Sequence, residues 1–432
     1  SIRVEGSSRF GPKADPVLGR YGLFPAISGS WRMKEESFLR SVKDISDLKI
    51  RAGVGVTGNM PSETNLYIQR VGPIGDYVWL DGAFVQPWGI TSNVNENLRW
   101  EKKTEYNVGI DGEFFNSKLS ATIDGYYRNT TDLLWEYSVP TPPFPYGRMW
   151  DNHGQIENYG VELSVNGNIF KNSNWNVDAG IVAAYNRNMV TRISTGYSLG
   201  TDNNKTFMDV GSISGDGETG VNVMRLEEGK PIGNFYGYKF IRISDEGKWV
   251  FEELNAAGEV VGETSSPNPS RDKQVIGNAQ PLLTGGFNLN VSYKQFDLSA
   301  NFRGQIGGKI FNQKSYFYGN KGSATDNYLY SAFEGEAAKL NDSRQFSDFY
   351  LEDASYLRLN DVTLGYNVKT SPELAKYFTD MRVTFTVQNA FVLTSYTGVD
   401  PEVNQGGLDP GIDGLNYYPK QRSFLLGLNF TF

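Results

Sequence analysis

Hydrophobic and polar side chains alternate along most of this chain with a period of two residues. In EYNVGIDGEF (105–114), tyrosine, valine, isoleucine and phenylalanine fall on one face, and glutamate, asparagine and aspartate fall on the other. After a turn at Asn116-Ser117, LSATIDGYYR (119–128) repeats the pattern. Strict alternation interrupted by a short turn predicts a β-hairpin with one apolar face and one charged face.

The same unit recurs from end to end and predicts about twelve strands. Most contain ~9–14 alternating residues, the length that a tilted membrane strand requires. Their boundaries are defined to within about 2–4 residues. The predicted strands lie near 1–5, 22–34, 46–58, 102–115, 117–131, 156–170, 174–190, 281–294, 296–310, 354–368, 380–394 and 421–432.

The connections between these strands alternate between short and long. The short ones fall near 35–45, 116, 171–173, 295 and 369–379, and the long ones span about 6–21, 59–101, 132–155, 191–280, 311–353 and 395–420. Short periplasmic turns and long external loops are typical of an outer-membrane β-barrel. Two short connections, SFLRSVKDI (37–45) and SPELAKYF (371–378), are predicted to form small helices. A soluble β-sandwich with aligned hairpins remains the alternative.

The amino-acid composition excludes several other classes of protein. No stretch of the 432 residues approaches the ~20 apolar residues of a membrane helix, which excludes a helical membrane protein. The net charge of -8 argues against nucleic acid as a partner. Cysteine is absent, so no disulfide, thiol nucleophile or cysteine-ligated metal is expected. The amino terminus, SIRVEGSSRF, carries no signal-peptide pattern, and we expect a mature or partial product.

Enzyme chemistry finds little support. The only histidine, His153, lies in a long connection, and no G-x-S-x-G motif accompanies it, so we expect no enzyme and no cofactor. The acidic segment VDPEVNQGGLDPGIDG (399–414) offers Asp400, Asp409 and Asp413 as weak candidates for a Ca²⁺ site. Their spacing does not match an EF-hand, and we expect no metal. The glycine-rich GSISGDGETG (211–220) lacks a strand–loop–helix context and is interpreted as a flexible loop.

Several strings resemble the SusC/RagA-type TonB-dependent outer-membrane transporters. They include RYGLFPAISGSWRMKEESF, LKIRAGVGVTGN, PIGNFYGYKF, GGFNLNVSYKQFDLSANFRGQIGGKIFN, SYLRLNDVTLGYN, VQNAFVLTSYTGVDPEV and YPKQRSFLLGLNFTF, in the order in which they occur in the family. The resemblance implies a barrel of about 22 strands around an amino-terminal plug. Residues 1–432 then correspond to its carboxyl-terminal part, an all-β, transmembrane antiparallel barrel portion, with the plug and the first strands outside this chain.

The same resemblance implies a function and partners. It predicts TonB-dependent uptake of oligosaccharides or oligopeptides across the bacterial outer membrane, with long loops extracellular and the carboxyl terminus periplasmic. Expected partners are a SusD-like surface lipoprotein, the remaining barrel and plug segment, the TonB complex through that segment, and outer-membrane lipid. The alternative is an outer-membrane scaffold or secretion-associated barrel without active import.

Aromatic side chains concentrate in the long connections. Aromatic rings beside polar groups suit sugars and peptides and also favour protein interfaces, although they equally pack loops and form membrane-interface girdles. The candidates for contact with a ligand or a lid are Trp79, Trp88, Trp135, Tyr146, Trp150, Tyr316, Tyr318 and Tyr417.

The chain ends inside a strand-like pattern, RSFLLGLNFTF. Alternate positions carry large apolar side chains up to a terminal aromatic residue, which resembles the assembly signal of outer-membrane barrels. The residues of this predicted signal are Phe424, Leu426, Leu428, Phe430 and Phe432.

Overall fold

Twelve antiparallel strands dominate the computed structural model, which describes residues 2–6, 21–60, 66, 68–95, 97–152, 154–193, 206–215, 218–322, 327–369, 377–403 and 406–432. We number these strands β1 to β12 in chain order. They are β1 (Ile2–Gly6), β2 (Tyr21–Arg32), β3 (Ile45–Asn59), β4 (Glu101–Phe114), β5 (Leu119–Thr131), β6 (Gln155–Lys171), β7 (Trp175–Arg192), β8 (Leu283–Tyr293), β9 (Phe296–Ile306), β10 (Tyr356–Val368), β11 (Asp380–Thr394) and β12 (Ser423–Thr431).

Each strand pairs with its neighbours in the sequence, so the sheet order is β1 to β12 without a crossover. Every predicted strand has its counterpart, and the boundaries agree within the expected margin. The prediction of 174–190, for example, corresponds to Trp175–Arg192, and that of 354–368 to Tyr356–Val368. Within the described residues the sheet is open, with β1 and β12 at its two edges.

The short connections are tight turns or short helices. Between β4 and β5, Phe115, Asn116 and Ser117 all have φ near +60°, the left-handed conformation that asparagine tolerates better than most residues. The predicted helix at 37–45 forms only over Ser37–Arg40, after a 3₁₀ turn at Met33–Glu35. Most of the predicted helix at 371–378 lies outside the described residues.

The two faces of the sheet differ in chemistry, as the alternation predicts. One face, called the apolar face below, leaves large hydrophobic side chains uncovered, including Ile27 at 71%, Val161 at 50% and Leu426 at 74% exposure. The opposite, polar face carries charged, amide and hydroxyl side chains. A contiguous apolar face of this extent requires a non-aqueous neighbour. Among the described residues, no helix is long and apolar enough to cross a membrane.

The long connections contain structure of their own. A four-stranded sheet joins Phe207–Gly215, Glu218–Glu227, Asn234–Tyr238 and Lys273–Asn278, and a three-stranded sheet joins Phe240–Ile243, Trp249–Leu254 and Val260–Thr264. Further short strands pair Val71–Pro73 with Trp88–Ile90, Val78–Leu80 with Ala83–Val85, and Leu134–Ser138 with Arg148–Asn152. Lys309–Asn312 pairs with Leu351–Asp353 and Ile412–Asp413. One α-helix occupies Gln313–Tyr318, and 3₁₀ turns lie at Tyr330–Phe333, Ala337–Lys339 and Asp348–Tyr350.

The connections 206–280 and 309–353 share one hydrophobic core, and together we call them the loop subdomain. Its centre is aromatic: Trp249 stacks on Phe251 with ring centroids 5.9 Å apart, and Tyr316 meets Tyr350 edge-on at 5.1 Å. Buried aromatic pairs of this kind contribute roughly 0.5–1.5 kcal/mol each beyond the burial of their area. The loop subdomain is therefore a packed body rather than a set of flexible loops.

Candidate functional site

The polar face is assembled by register across neighbouring strands. Glu162 on β6 lies opposite Ala184 on β7, which lies opposite Thr284 on β8, which in turn lies opposite Gln305 on β9. On the other side, Asp124 of β5 pairs with Glu162. Since directly opposite residues share one face of a sheet, these five positions form a continuous row across five strands.

A recess of about 450 Å³ lies in this row. Small side chains form its floor, because Val182, Ala184 and Thr284 stand where neighbouring strands carry longer ones. Carboxylates stand at one rim and Arg303 at the other. The residues around the recess are Thr122, Asp124, Glu162 and Ser164 on one side, and Arg303, Gln305 and Tyr356 on the other.

An arginine of the polar face reaches across a strand because a glycine leaves room. The Nη2 of Arg51 on β3 lies 2.6 Å from Oδ2 of Asp124 on β5, passing over Gly109 of β4. The same guanidinium binds Asp111 through Nε at 3.1 Å. A Cβ on Gly109 would lie 2.5 Å from the Asp124 carboxylate. Nearer the β12 edge of the sheet, Gly365 of β10 leaves room in the same manner for an ion pair between Asp297 of β9 and Arg382 of β11.

Two arginines of the polar face bind an acidic connection. Arg303 of β9 and Arg358 of β10 lie directly opposite each other and would repel without counter-charges. The Nη2 of Arg358 lies 2.6 Å from Oδ1 of Asp400, with both side chains 5% exposed. The Nη2 of Arg303 lies 2.9 Å from Oε2 of Glu402, which Lys420 also binds. The segment 399–403 is therefore fixed against the polar face by charge.

A second buried cluster, centred on Asp413 of the connection between β11 and β12, joins this connection to Lys314 of the loop subdomain. The hydroxyl of Tyr396 donates to Oδ2 of Asp413 at 2.6 Å, and the Nζ of Lys314 lies 3.0 Å from Oδ1. Asp413 is fully buried. Burial and the hydrogen bond to this carboxylate raise the pKa of Tyr396 far above its ordinary value, so the phenol remains a donor.

Two of the three weak candidates for a metal site are engaged in these contacts. Asp400 is paired with Arg358, and Asp413 with Tyr396 and Lys314, whereas Asp409 is exposed. Across the described ranges, no group of three histidine, cysteine or acidic side chains is placed to hold a metal ion. His153 lies outside the described residues.

The predicted aromatic contacts fall into several environments. Trp79 and Trp88 are 63% and 69% exposed, on two short strand pairs between β3 and β4. Trp135 and Trp150 are half-buried, and they pack against two separate hydrophobic clusters near the ends of strands of the twelve-stranded sheet. Tyr146 is half-buried, and its backbone NH donates to Oδ1 of Asn93 at 3.2 Å.

The three remaining aromatic candidates, Tyr316, Tyr318 and Tyr417, also differ in their exposure. Tyr316 is 2% exposed in the core of the loop subdomain, so its contacts are with neighbouring rings. Tyr318 is 37% exposed. Tyr417 is half-buried, and its hydroxyl donates to the backbone oxygen of Glu402 at 3.0 Å. Burial, followed by the nearby Asp400, raises the pKa of Tyr417. Contact of any of the eight aromatic residues with a ligand or a lid stays a prediction.

The predicted assembly signal lies on the last strand, β12, and just beyond it. Its side chains point to the apolar face and range from 44% exposure at Phe430 to 91% at Phe432. Phe424 stacks on Phe385 of β11 with centroids 6.4 Å apart. These contacts place the five residues at one edge of the sheet, and their part in assembly stays a prediction.

Comparison with known proteins identifies the class. Residues 1–390 match the family described as "TonB dependent receptor-like, beta-barrel". The chain is 32% identical to the TonB-dependent receptor SusC of Bacteroides thetaiotaomicron over 100% of its own length and 42% of the relative's. It is 27% identical to the TonB-dependent receptor P3 of Formosa agariphila, covering 43% of that protein. The solved RagAB peptide transporter superposes over the whole chain with a TM-score of 0.80 and 27% identity, covering 45% of that chain.

The chain belongs to the β-barrel family of TonB-dependent receptors. Within that family it is similar to the SusC and RagA type, which confirms the resemblance read from the sequence strings. Membership settles the choice between barrel and sandwich: the twelve strands form part of a transmembrane antiparallel barrel in the outer membrane. The apolar face is the lipid face and the polar face lines the lumen. The chain spans less than half the length of the relatives that it matches.

Sequence reasoning missed the lumen residues that the structure brings together. Glu162, Arg303 and Arg358 were visible only as polar members of alternating strands, and Glu402 only as part of an acidic loop. Their charge and alternation were available signals. Their juxtaposition depends on strand register and on how a long connection folds back, neither of which a period-two pattern encodes.

Proposed function

We propose that this chain is the barrel portion of a TonB-dependent importer that takes up oligosaccharides or oligopeptides across the outer membrane. A SusD-like surface lipoprotein closes its external face in this proposal. The match to SusC over the whole of this chain and the superposition on the RagAB peptide transporter support the assignment. In the intact protein, the plug and the remaining strands complete the lumen.

The observation that carries the proposal is the recess in the lumen wall. A polar row runs across five strands and opens into a cavity of about 450 Å³ bordered by carboxylates, hydroxyls, an amide and a guanidinium. Polar groups converging on a concave surface provide the contacts that a polar solute needs. A barrel used only as a scaffold has no need for such a recess.

Uptake by cells tests the proposal. A strain lacking the intact protein is compared with the restored strain for accumulation of labelled oligosaccharide and oligopeptide mixtures. We expect restored uptake that stops when TonB is deleted or a protonophore is added. Uptake that is unaffected by both treatments, or no change in uptake of either mixture on deletion, would favour the scaffold or secretion-associated alternative.

The proposed orientation places the long connections and the loop subdomain outside the cell, and the short turns and the carboxyl terminus in the periplasm. A peptide tag inserted between Asp81 and Gly82, at the tip of the exposed Val78–Leu80 and Ala83–Val85 hairpin, tests it. The matched insertion lies between Asn116 and Ser117. Antibody should bind intact cells with the first tag and only permeabilised cells with the second. The reverse result would invert the proposed topology.

A further inference from the structure

The recess in the lumen wall carries opposite charges at its two rims. At one rim, Asp124 is already bound to Arg51 at 2.6 Å. Glu162 beside it is exposed, and among the described residues no lysine or arginine lies within ion-pair distance of its carboxylate. Among the described residues, Glu162 is therefore the rim carboxylate that has no cationic partner.

The opposite rim presents a guanidinium that already holds a carboxylate. Arg303 binds Oε2 of Glu402 at 2.9 Å and remains 42% exposed. Its buried Nε has no hydrogen-bond partner within the described part of the chain. Glu402 also binds Lys420 and lies 3.5 Å from Nε of Arg358, so its carboxylate keeps two cationic partners when Arg303 is released. The carboxylate of Glu402 thus marks the kind of group that this rim accepts.

The separation of the two rims sets the length of a ligand that reaches both. Glu162 and Gln305 are three strand intervals apart along the row, about 14 Å at the usual spacing of about 4.8 Å, and Arg303 lies two residues from Gln305. An extended peptide spans at most about 3.5 Å per residue. With the two-residue offset along β9, the backbone separation of Glu162 and Arg303 is about 16 Å, so about four residues cover it once the two rim side chains reach inward.

Between the rims, the floor is small and partly apolar. Val182 faces the lumen with 49% exposure, beside Ala184 and Thr284. A neutral sugar filling the recess would strip water from Glu162 without supplying a counter-charge, which is unfavourable, whereas Arg303 would keep Glu402. A peptide with free termini supplies an ammonium, a carboxylate and small apolar side chains.

We propose that the recess binds short zwitterionic peptides, pairing the ligand ammonium with Glu162 and the ligand carboxylate with Arg303 in place of Glu402. The proposal rests on the proposed import function, because it places this site on the path of the cargo. It selects peptides over neutral glycans as the class of cargo that this wall recognises.

Thiol protection tests the site directly, since this chain contains no cysteine. In the intact protein in outer-membrane vesicles, with any cysteine elsewhere replaced, Ser164→Cys places a thiol at the recess. Ser299→Cys is the matched control, on the polar face of β9 but outside the recess. The rate of maleimide labelling is measured with tetra-alanine, its N-acetylated form, its C-amidated form and a neutral tetrasaccharide.

We expect tetra-alanine to protect Ser164→Cys and not Ser299→Cys. Each blocked form should need about tenfold more peptide, because one charged contact is lost. Glu162→Gln should remove the difference between free and acetylated peptide, and Arg303→Gln the difference between free and amidated peptide. These paired losses are specific to charge recognition, and unchanged heat-modifiable gel mobility checks that both variants still form the barrel.

Three results would overturn the proposal: equal protection by the tetrasaccharide, no protection by any peptide, or a Ser164→Cys thiol that never labels while Ser299→Cys does. Protection requires no energised membrane, so its failure is separable from a failure of import. TonB-dependent uptake without peptide protection would reject this site and leave the importer intact. Peptide protection without uptake would retain the site and reject the importer.

Discussion

The buried ion pair between Arg358 and Asp400 gives the sharpest prediction, made with Asp400→Asn. Both side chains are 5% exposed, and the charged atoms lie 2.6 Å apart. Asparagine keeps an oxygen for the backbone NH of Glu402, which donates to the aspartate at 2.8 Å, so the change isolates the charge. Removing one partner of a buried pair costs about 3–5 kcal/mol. Glu402, 3.5 Å from Nε of Arg358, compensates in part and favours the lower end.

The cost should appear as local opening, because Asp400 lies on a connection and Arg358 on the wall. A loss of about 3 kcal/mol corresponds to roughly a hundredfold increase in the open population. Hydrogen exchange followed by mass spectrometry on the intact protein in vesicles should show segment 399–403 exchanging faster by that factor. The amides of β10 should be unchanged.

Two controls frame this result. Asp47→Asn removes the partner of Arg32, whose side chain is 59% exposed, and should open its surroundings far less, because exposed ion pairs contribute little to stability. The double variant Arg358→Met with Asp400→Leu removes both charges and should restore much of the protection. If Asp400→Asn opens segment 399–403 no more than Asp47→Asn opens its own surroundings, the ion pair does not hold the connection.

Three further predictions concern other parts of the molecule. Gly109→Ala should lower barrel stability by about 1 kcal/mol, because the new Cβ displaces the Asp124 carboxylate. Gly125→Ala on the next strand is the control, because a Cβ there meets nothing within 4 Å. The stability of the two variants is compared by heat-modifiable gel mobility. Hydrogen bonding from a neighbouring arginine lowers the pKa of Asp272 to about 2, so its stabilisation is present above about pH 3.8 and is lost as the pH falls through 2. Asp272→Asn should therefore open the loop subdomain at neutral pH and flatten its acid dependence, as followed by hydrogen exchange. Phe432→Ala should reduce the amount of barrel in the outer membrane, judged by immunoblot, and Phe432→Tyr should not.

The lumen wall was predictable because one simple rule generates it. Side chains of a strand alternate between faces, so charged residues opposite apolar ones locate every strand, as with Glu162 between Val161 and Leu163. The short turns followed from the same pattern. Sheet order also followed, since adjacent strands joined by short turns pair with each other.

The loop subdomain escaped sequence analysis for the opposite reason. Its strands are three to ten residues long, and none stands out by periodicity alone. Its core brings Phe235, Phe311 and Tyr350 together from three distant parts of the chain. The Arg358 pairing with Asp400 spans 42 residues in the same way. Contacts between distant segments are decided by packing, which no local pattern encodes.

The aromatic core of the loop subdomain has a consequence for how such proteins diversify. Its aromatic residues pack against one another, and it meets the wall through hydrogen bonds, such as Val190 with Lys230 at 2.9 Å and Ile232 with Asn188 at 2.7 Å, and through a separate hydrophobic cluster. Substitutions inside this core can change the loop subdomain while the strands beneath keep their register. The loop subdomain can then evolve at a different pace from the wall to which it is joined.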